Sequence, residues 1–135
     1  MNYLLDTHYI LWTLFEPNKI KDKLLQIFRT PADSKIVSGI SLWEISLKYS
    51  LGKLELSGTN PEEICEKISE SGFDIIPMEN RVFASYYKLP KKENHRDPFD
   101  RLLIWQAITD DFTLITADKT IEQYIQDGLK VEMGR

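Results

Sequence analysis

This chain has one cysteine, Cys65, and two histidines, His8 and His95, among its 135 residues. A single thiol excludes an internal disulfide and cannot anchor a thiolate metal site. No histidine pair or thiol cluster is present to favour a softer transition metal. Long apolar runs are missing too: none approaches the ~20 residues that cross a bilayer. The opening MNYLLDTHYILWTLF lacks a basic flank and a small-residue cleavage site, which argues against a signal peptide. These absences together predict a cytoplasmic protein in a reducing compartment, with no membrane association. An excess of basic residues is also absent, since Lys and Arg number 17 against 21 Asp and Glu, for a net charge of -4. That weakens any case for non-specific nucleic-acid binding through a basic surface, while leaving room for a few local cations to meet phosphates. There is no internal repeat and no low-complexity tract.

What is present fits a globular domain. A hydrophobic content of 42% with 28% charged residues is ordinary for a soluble fold. The length predicts a single domain over 1–135, long enough to bury a core unaided. The pattern of elements is regular. NYLL at 2–5 reads as a buried strand and THYILWTLF as a helix. Ile20, Leu24, Ile27 and Phe28 recur at helical spacing before Pro31. KIVSGI at 35–40 reads as a strand, and SLWEISLKYSLGK as a helix ending near Gly52. Pro61 opens a helix with Ile64, Cys65 and Ile68 inward and Glu62, Glu66, Lys67 and Glu70 largely outward. FDIIPM is a strand and NRVFASYYKL a helix closed by Pro90. KKENHRD at 91–97 is a loop, DPFDRLLIWQA a helix start, FTLIT at 112–116 a strand, KTIEQYI a short helix and LKVE a fifth strand. Strands alternating with helices predict a mainly parallel sheet of four to five strands covered on both faces.

In such sheets ligands gather outside the carboxyl ends of the strands. Asp6 follows the first strand directly. Glu44 falls in the first turn of the helix after the second strand. Asp100 opens the helix before the fourth strand, and Asp118 lies two residues past the end of that strand. Each has a capping role available. Asp6 or Thr7 suits the start of the first helix, Ser41 to Glu44 and Asp97 to Asp100 fit capping boxes, and Asp118 suits the last helix. Jointly they point further. Carboxylates gathered in one cleft repel one another and stay ionised only around a cation, and hard oxygen donors suit Mg²⁺ or Mn²⁺. Such ions can polarise a phosphodiester and activate water, while the nearby helix amides suit phosphate oxygens.

The blocks LLDTHYILW, SLWEISLKYSLGKLEL, HRDPFDRLLIWQA and LITADKTIEQY, in this order, resemble PIN-domain proteins, and most nearly the VapC-type toxins of toxin–antitoxin operons. The resemblance runs from Met1 to about Tyr124. It implies a three-layer α/β/α sandwich, a metal-dependent endoribonuclease using Mg²⁺ or Mn²⁺, a cognate antitoxin partner, an RNA substrate and a homodimer. Carried over motif by motif, it makes Asp6, Glu44, Asp100 and Asp118 the catalytic, metal-holding acids and Thr116 the neighbouring hydroxyl. Asp97 belongs to the subgroup's DPFDR motif, where a capping or supporting role is favoured. Trp105 stands where the family pattern leads one to expect a small residue.

Other residues have weaker claims. His95, Arg96 and Arg101 flank the third acid and are candidates for holding RNA phosphate or for pairing with the acids. His8 reads as a surface or hydrogen-bonded residue, and Lys48 and Lys53 as solvated positions. Trp12, Trp43 and Trp105 read as core or dimer interface. Two rival readings stand beside the nuclease. One is a catalytically inactive binding module whose acids only cap helices. The other is a receiver-like, Mg²⁺-binding signalling domain, which FDIIPM fits poorly because no aspartate follows that strand.

Overall fold

The computed structural model describes residues 1–134. Strand β1 (Asn2–Leu5) leads into helix α1 (Thr7–Phe15), followed by α2 (Asp22–Arg29), β2 (Ser34–Ser38) and α3 (Gly39–Ser50). Then come α4 (Pro61–Glu70), β3 (Asp74–Ile76), α5 (Asn80–Ser85), α6 (Pro98–Asp110), β4 (Thr113–Ile115) and β5 (Lys130–Glu132). A 3-10 helix covers Lys119–Asp127. The five strands form one sheet in the order β3-β2-β1-β4-β5, and every neighbouring pair is parallel.

Side-chain alternation along the strands makes the three layers. In β1, Tyr3 and Leu5 point to one face and Leu4 to the other. Tyr3, Leu5, Val37 and Ile115 pack with Tyr9 and Ile10 of α1, Leu24 of α2, Ile45 of α3, and Ile64 and Ile68 of α4. Leu4, Ile36 and Leu114 pack on the opposite face with Val82 of α5, with Leu103, Ile104 and Ala107 of α6, and with Ile121 and Tyr124. The expected α/β/α sandwich with a parallel sheet is therefore the observed architecture. The sheet has all five strands, because LKVE pairs with β4 from Lys130 to Glu132.

Local chemistry corrects several boundaries. The strand expected over 35–40 stops at Ser38, whose hydroxyl accepts from the Ile40 amide, and α3 begins at Gly39. Ser41 and Glu44 therefore form no capping box, and Glu44 lies in the second helical turn. The helix expected from Asn80 to Leu89 is α5 followed by a short 3-10 turn, Tyr86–Lys88. KTIEQYI is 3-10 rather than α-helical and ends at Gly128, whose φ of 101° suits the left-handed cap position. Trp43 is not core: it is 57% exposed, with its ring edge-on to Phe99. Trp105 is half-buried and donates its indole N–H to Ser85 Oγ at 3.0 Å.

Candidate active site

The central strand places the first acid. The Asp6 amide donates to Ile115 O at 3.0 Å, so Asp6 sits at the carboxyl end of β1 beside the end of β4. Asp6 is buried and caps α1, accepting from the Tyr9 amide at 3.1 Å. The capping expectation and a place at the sheet rim thus hold together. Burial pushes the Asp6 carboxyl above its ordinary value, opposed by hydrogen bonds from the Thr116 side chain and the Tyr9 backbone. Thr116 is fully buried at the end of β4 and also accepts from the Asp118 amide at 3.1 Å. One hydroxyl thereby joins the first acid to the loop that carries the fourth.

Glu44 arrives from α3 and is buried. Its Oε1 lies 2.6 Å from Thr7 Oγ1, which is also 3.1 Å from Ser41 Oγ. Lys48, one turn further along α3, pairs with Glu44 Oε2. Lys48 is therefore not a solvated bystander. Burial works against its charge, but Glu44, with Asp97 and Asp100 beyond it, holds the ammonium pKa above its usual value.

Asp100 occupies the first turn of α6, whose N-cap is Asp97, accepting from the Phe99 amide at 2.9 Å. Its carboxyl is pushed up to about 7, by burial first and then by the negative charges of Asp97, Glu44, Asp6 and Asp118. Those four acids come from three separate stretches of sequence besides its own. Asp118 is exposed and caps the 3-10 helix, accepting from Thr120 N at 2.9 Å and Thr120 Oγ1 at 2.7 Å. Both bonds fall on Oδ1, so capping uses only one of its two oxygens.

Two neighbours of the third acid behave unlike their sequence reading. Arg101 does not pair with the acids. It is buried and donates to Tyr86 Oη, Tyr124 Oη and the carbonyls of Leu89 and Pro90. His95 is buried and bonds Tyr124 through Nδ1, and its Nε2 lies 3.7 Å from Asp100 Oδ2, too far for a hydrogen bond. His95, Asp100 and Asp118 each offer an atom within 4.8 Å of the others, a spacing one cation can bridge. The sequence signal for His95 was its position five residues before Asp100. The signal for its burial lay in Tyr124, which no local pattern connects to it. Arg96 is exposed on the loop, and His8 is exposed on α1.

An acid-rimmed parallel sheet between two helical layers defines a class of protein, and sequence comparison identifies the family within it. The PIN domain model matches residues 3–125, so the chain belongs to the PIN domain family. No curated protein sequence matches it. Three solved structures resemble it over nearly full length. A chain of VapBC2 from Rickettsia felis, bound to a fragment of promoter DNA, superposes with a TM-score of 0.68 at 20% identity, covering 98% of each chain. A chain of VapBC-1 from nontypeable Haemophilus influenzae gives 0.67 at 23%, covering 98% of this chain and 97% of that one. A chain of FitAcB from Neisseria gonorrhoeae gives 0.67 at 19%, with the same coverage. At such identities the likeness is one of fold.

Proposed function

We propose that the protein is a divalent-metal-dependent endoribonuclease toxin of the VapC kind, neutralised by a cognate antitoxin. The observation that carries this is geometric: His95, Asp100 and Asp118 offer atoms within 4.8 Å of one another, and burial with the charges of Asp97, Glu44, Asp6 and Asp118 pushes the Asp100 carboxyl up to about 7. Carboxylates so placed are costly to keep ionised unless a cation shares them. The donor set fits such a cation: the oxygens are hard, Asp6 and Glu44 are held by hydrogen bonds, and no thiol is near. Asp6, Glu44, Asp100 and Asp118 would hold Mg²⁺ or Mn²⁺. When bound, the ion supplies charge to polarise the phosphodiester and to activate water.

The chain's own residues prepare that place. Thr7 and Lys48 fix the Glu44 carboxylate, and Thr116 holds Asp6 in register with the Asp118 loop. The first turns of α1 and α6 bring backbone amides to the rim, a setting that favours phosphate oxygens. Asp97 serves as the α6 cap and adds negative charge at Asp100. Exposed Arg96 stands on the loop that leads into α6, where it can meet the RNA strand. The antitoxin partner is supported by the complexes in which the structural neighbours occur. A homodimer and a cytoplasmic location complete the reading. No helix among the described residues is long and apolar enough to cross a membrane.

Incubation of total RNA with Mg²⁺ or Mn²⁺ tests the proposal. The wild-type protein should cut it, and Asp6→Asn should not, while keeping its circular dichroism spectrum. Cleavage by Asp6→Asn at the wild-type rate removes the assignment. If the wild-type protein neither cuts RNA nor binds either metal, the proposal falls and the acids serve the fold alone.

A further inference from the structure

Two contacts on one hydroxyl decide what His95 presents to the acids. Tyr124 is fully buried, and its Oη stands 2.8 Å from Arg101 Nη1 and 2.9 Å from His95 Nδ1. A guanidinium nitrogen can only donate, so the tyrosine oxygen accepts from Arg101. The hydroxyl's own hydrogen then goes to His95 Nδ1. A neutral imidazole whose Nδ1 accepts carries its hydrogen on Nε2, and a doubly protonated ring carries one there as well. The remaining tautomer, with Nε2 bare, leaves the Tyr124 hydroxyl hydrogen without an acceptor among the described residues.

Nε2 is therefore a donor, and nothing among the described residues accepts from it. His95 is only 6% exposed. Asp100 Oδ2, at 3.7 Å, is beyond hydrogen-bond distance. A buried N–H without an acceptor is costly to maintain, which favours a bound group that supplies one. This nitrogen lies 3.7 Å from Asp100 Oδ2, and the His95 ring shares a 4.8 Å cluster with Asp100 and Asp118. The acceptor that suits it is an anionic oxygen drawn to the same spot.

We propose that His95 Nε2–H donates to a phosphate oxygen of the bound RNA strand, with Arg101 and Tyr124 as positioning residues that fix the ring's hydrogen. This rests on the nuclease reading. His95 is then a catalytic residue that touches substrate and is not a ligand of the cation. It supplies one directional donor at the reacting phosphate. Removal of such a donor from a phosphate or oxyanion site costs about 100-fold in rate.

The test begins with the metal-free wild-type protein. Long-range proton–nitrogen NMR correlations of the His95 ring should show hydrogen on Nε2. Mg²⁺ with inorganic phosphate should move that proton downfield, and Mg²⁺ alone should not. His95→Ala should bind Mn²⁺ within about threefold of wild type yet cut total RNA about 100-fold more slowly. His95→Gln, whose amide N–H reaches a similar point, should recover at least tenfold of that loss. A bare Nε2 overturns the proposal, as does a tenfold or greater loss of Mn²⁺ affinity in His95→Ala, which makes the ring a ligand. Unchanged cleavage by His95→Ala, or a proton unmoved by phosphate, also overturns it. A wild-type protein that cuts no RNA overturns the nuclease reading and the phosphate contact together, whereas the tautomer is read from the metal-free spectrum alone.

Discussion

Thr7 holds Glu44 across 2.6 Å, tying the residue after the first acid to the second acid, 37 positions away. The bond is buried and its acceptor is a carboxylate, so it is stronger than a neutral pair. Thr7→Val keeps the shape of the side chain and removes the donor. The variant should lose about 1–3 kcal/mol of stability, measured as a shift of the urea midpoint at unchanged slope. Mn²⁺ affinity should fall as well, because Glu44 is then held by Lys48 alone at its second oxygen. An unchanged midpoint shows that the bond contributes nothing net.

Asp100 makes stability depend on pH. Its folded-state carboxyl, raised to about 7, keeps its proton where the unfolded chain has lost it, near pH 4. Between those values the folded protein binds more protons than the unfolded chain. Its contribution to stability therefore falls as pH rises from about 4 to about 7 and levels off above that. Asp100→Asn is neutral throughout. In chelator, the variant should be more stable than wild type at pH 8, and the gap should close toward pH 4. Cation binding competes with the same proton, so calorimetry should show Mg²⁺ affinity rising as pH increases through about 7. Parallel stability profiles for the two proteins exclude this.

Arg101 is a structural residue. Its guanidinium donates to two tyrosine hydroxyls and two carbonyls, at 2.8 to 3.2 Å. Arg101→Met leaves those buried acceptors unpaired and should cost about 3–5 kcal/mol in thermal or denaturant unfolding. Arg101→Lys should recover little, because an ammonium cannot span the fork. A stable Arg101→Met protein would remove the account.

Ile104 and Trp43 separate core from surface. Ile104 is fully buried under the sheet, and Ile104→Ala should cost about 2–5 kcal/mol. Trp43 is 57% exposed, and Trp43→Ala should cost less than about 1 kcal/mol in the isolated chain. Equal losses at the two positions would place Trp43 against an unrecognised surface.

Much of this was legible in the chain itself. Alternation in NYLL and KIVS, and helical spacing in PEEICEKISE, specify the layers, because burial on one or both faces leaves a periodic trace. Asp6, Asp97 and Asp118 could be read as caps from their immediate neighbours, and all three are caps. What local pattern cannot carry is distance between remote segments. The 2.6 Å bond from Thr7 to Glu44, the four acids whose charges raise the Asp100 carboxyl, and the Arg101–Tyr124–His95 chain all join different elements. Sequence settled which residue types stood at the ends of strands and the starts of helices. The packing of α3 and α6 over the sheet rim decided which of them met, and with Tyr124 it decided that a loop histidine would be buried facing the acids. Such contacts depend on register between segments far apart in the chain, and register is a property of the folded whole.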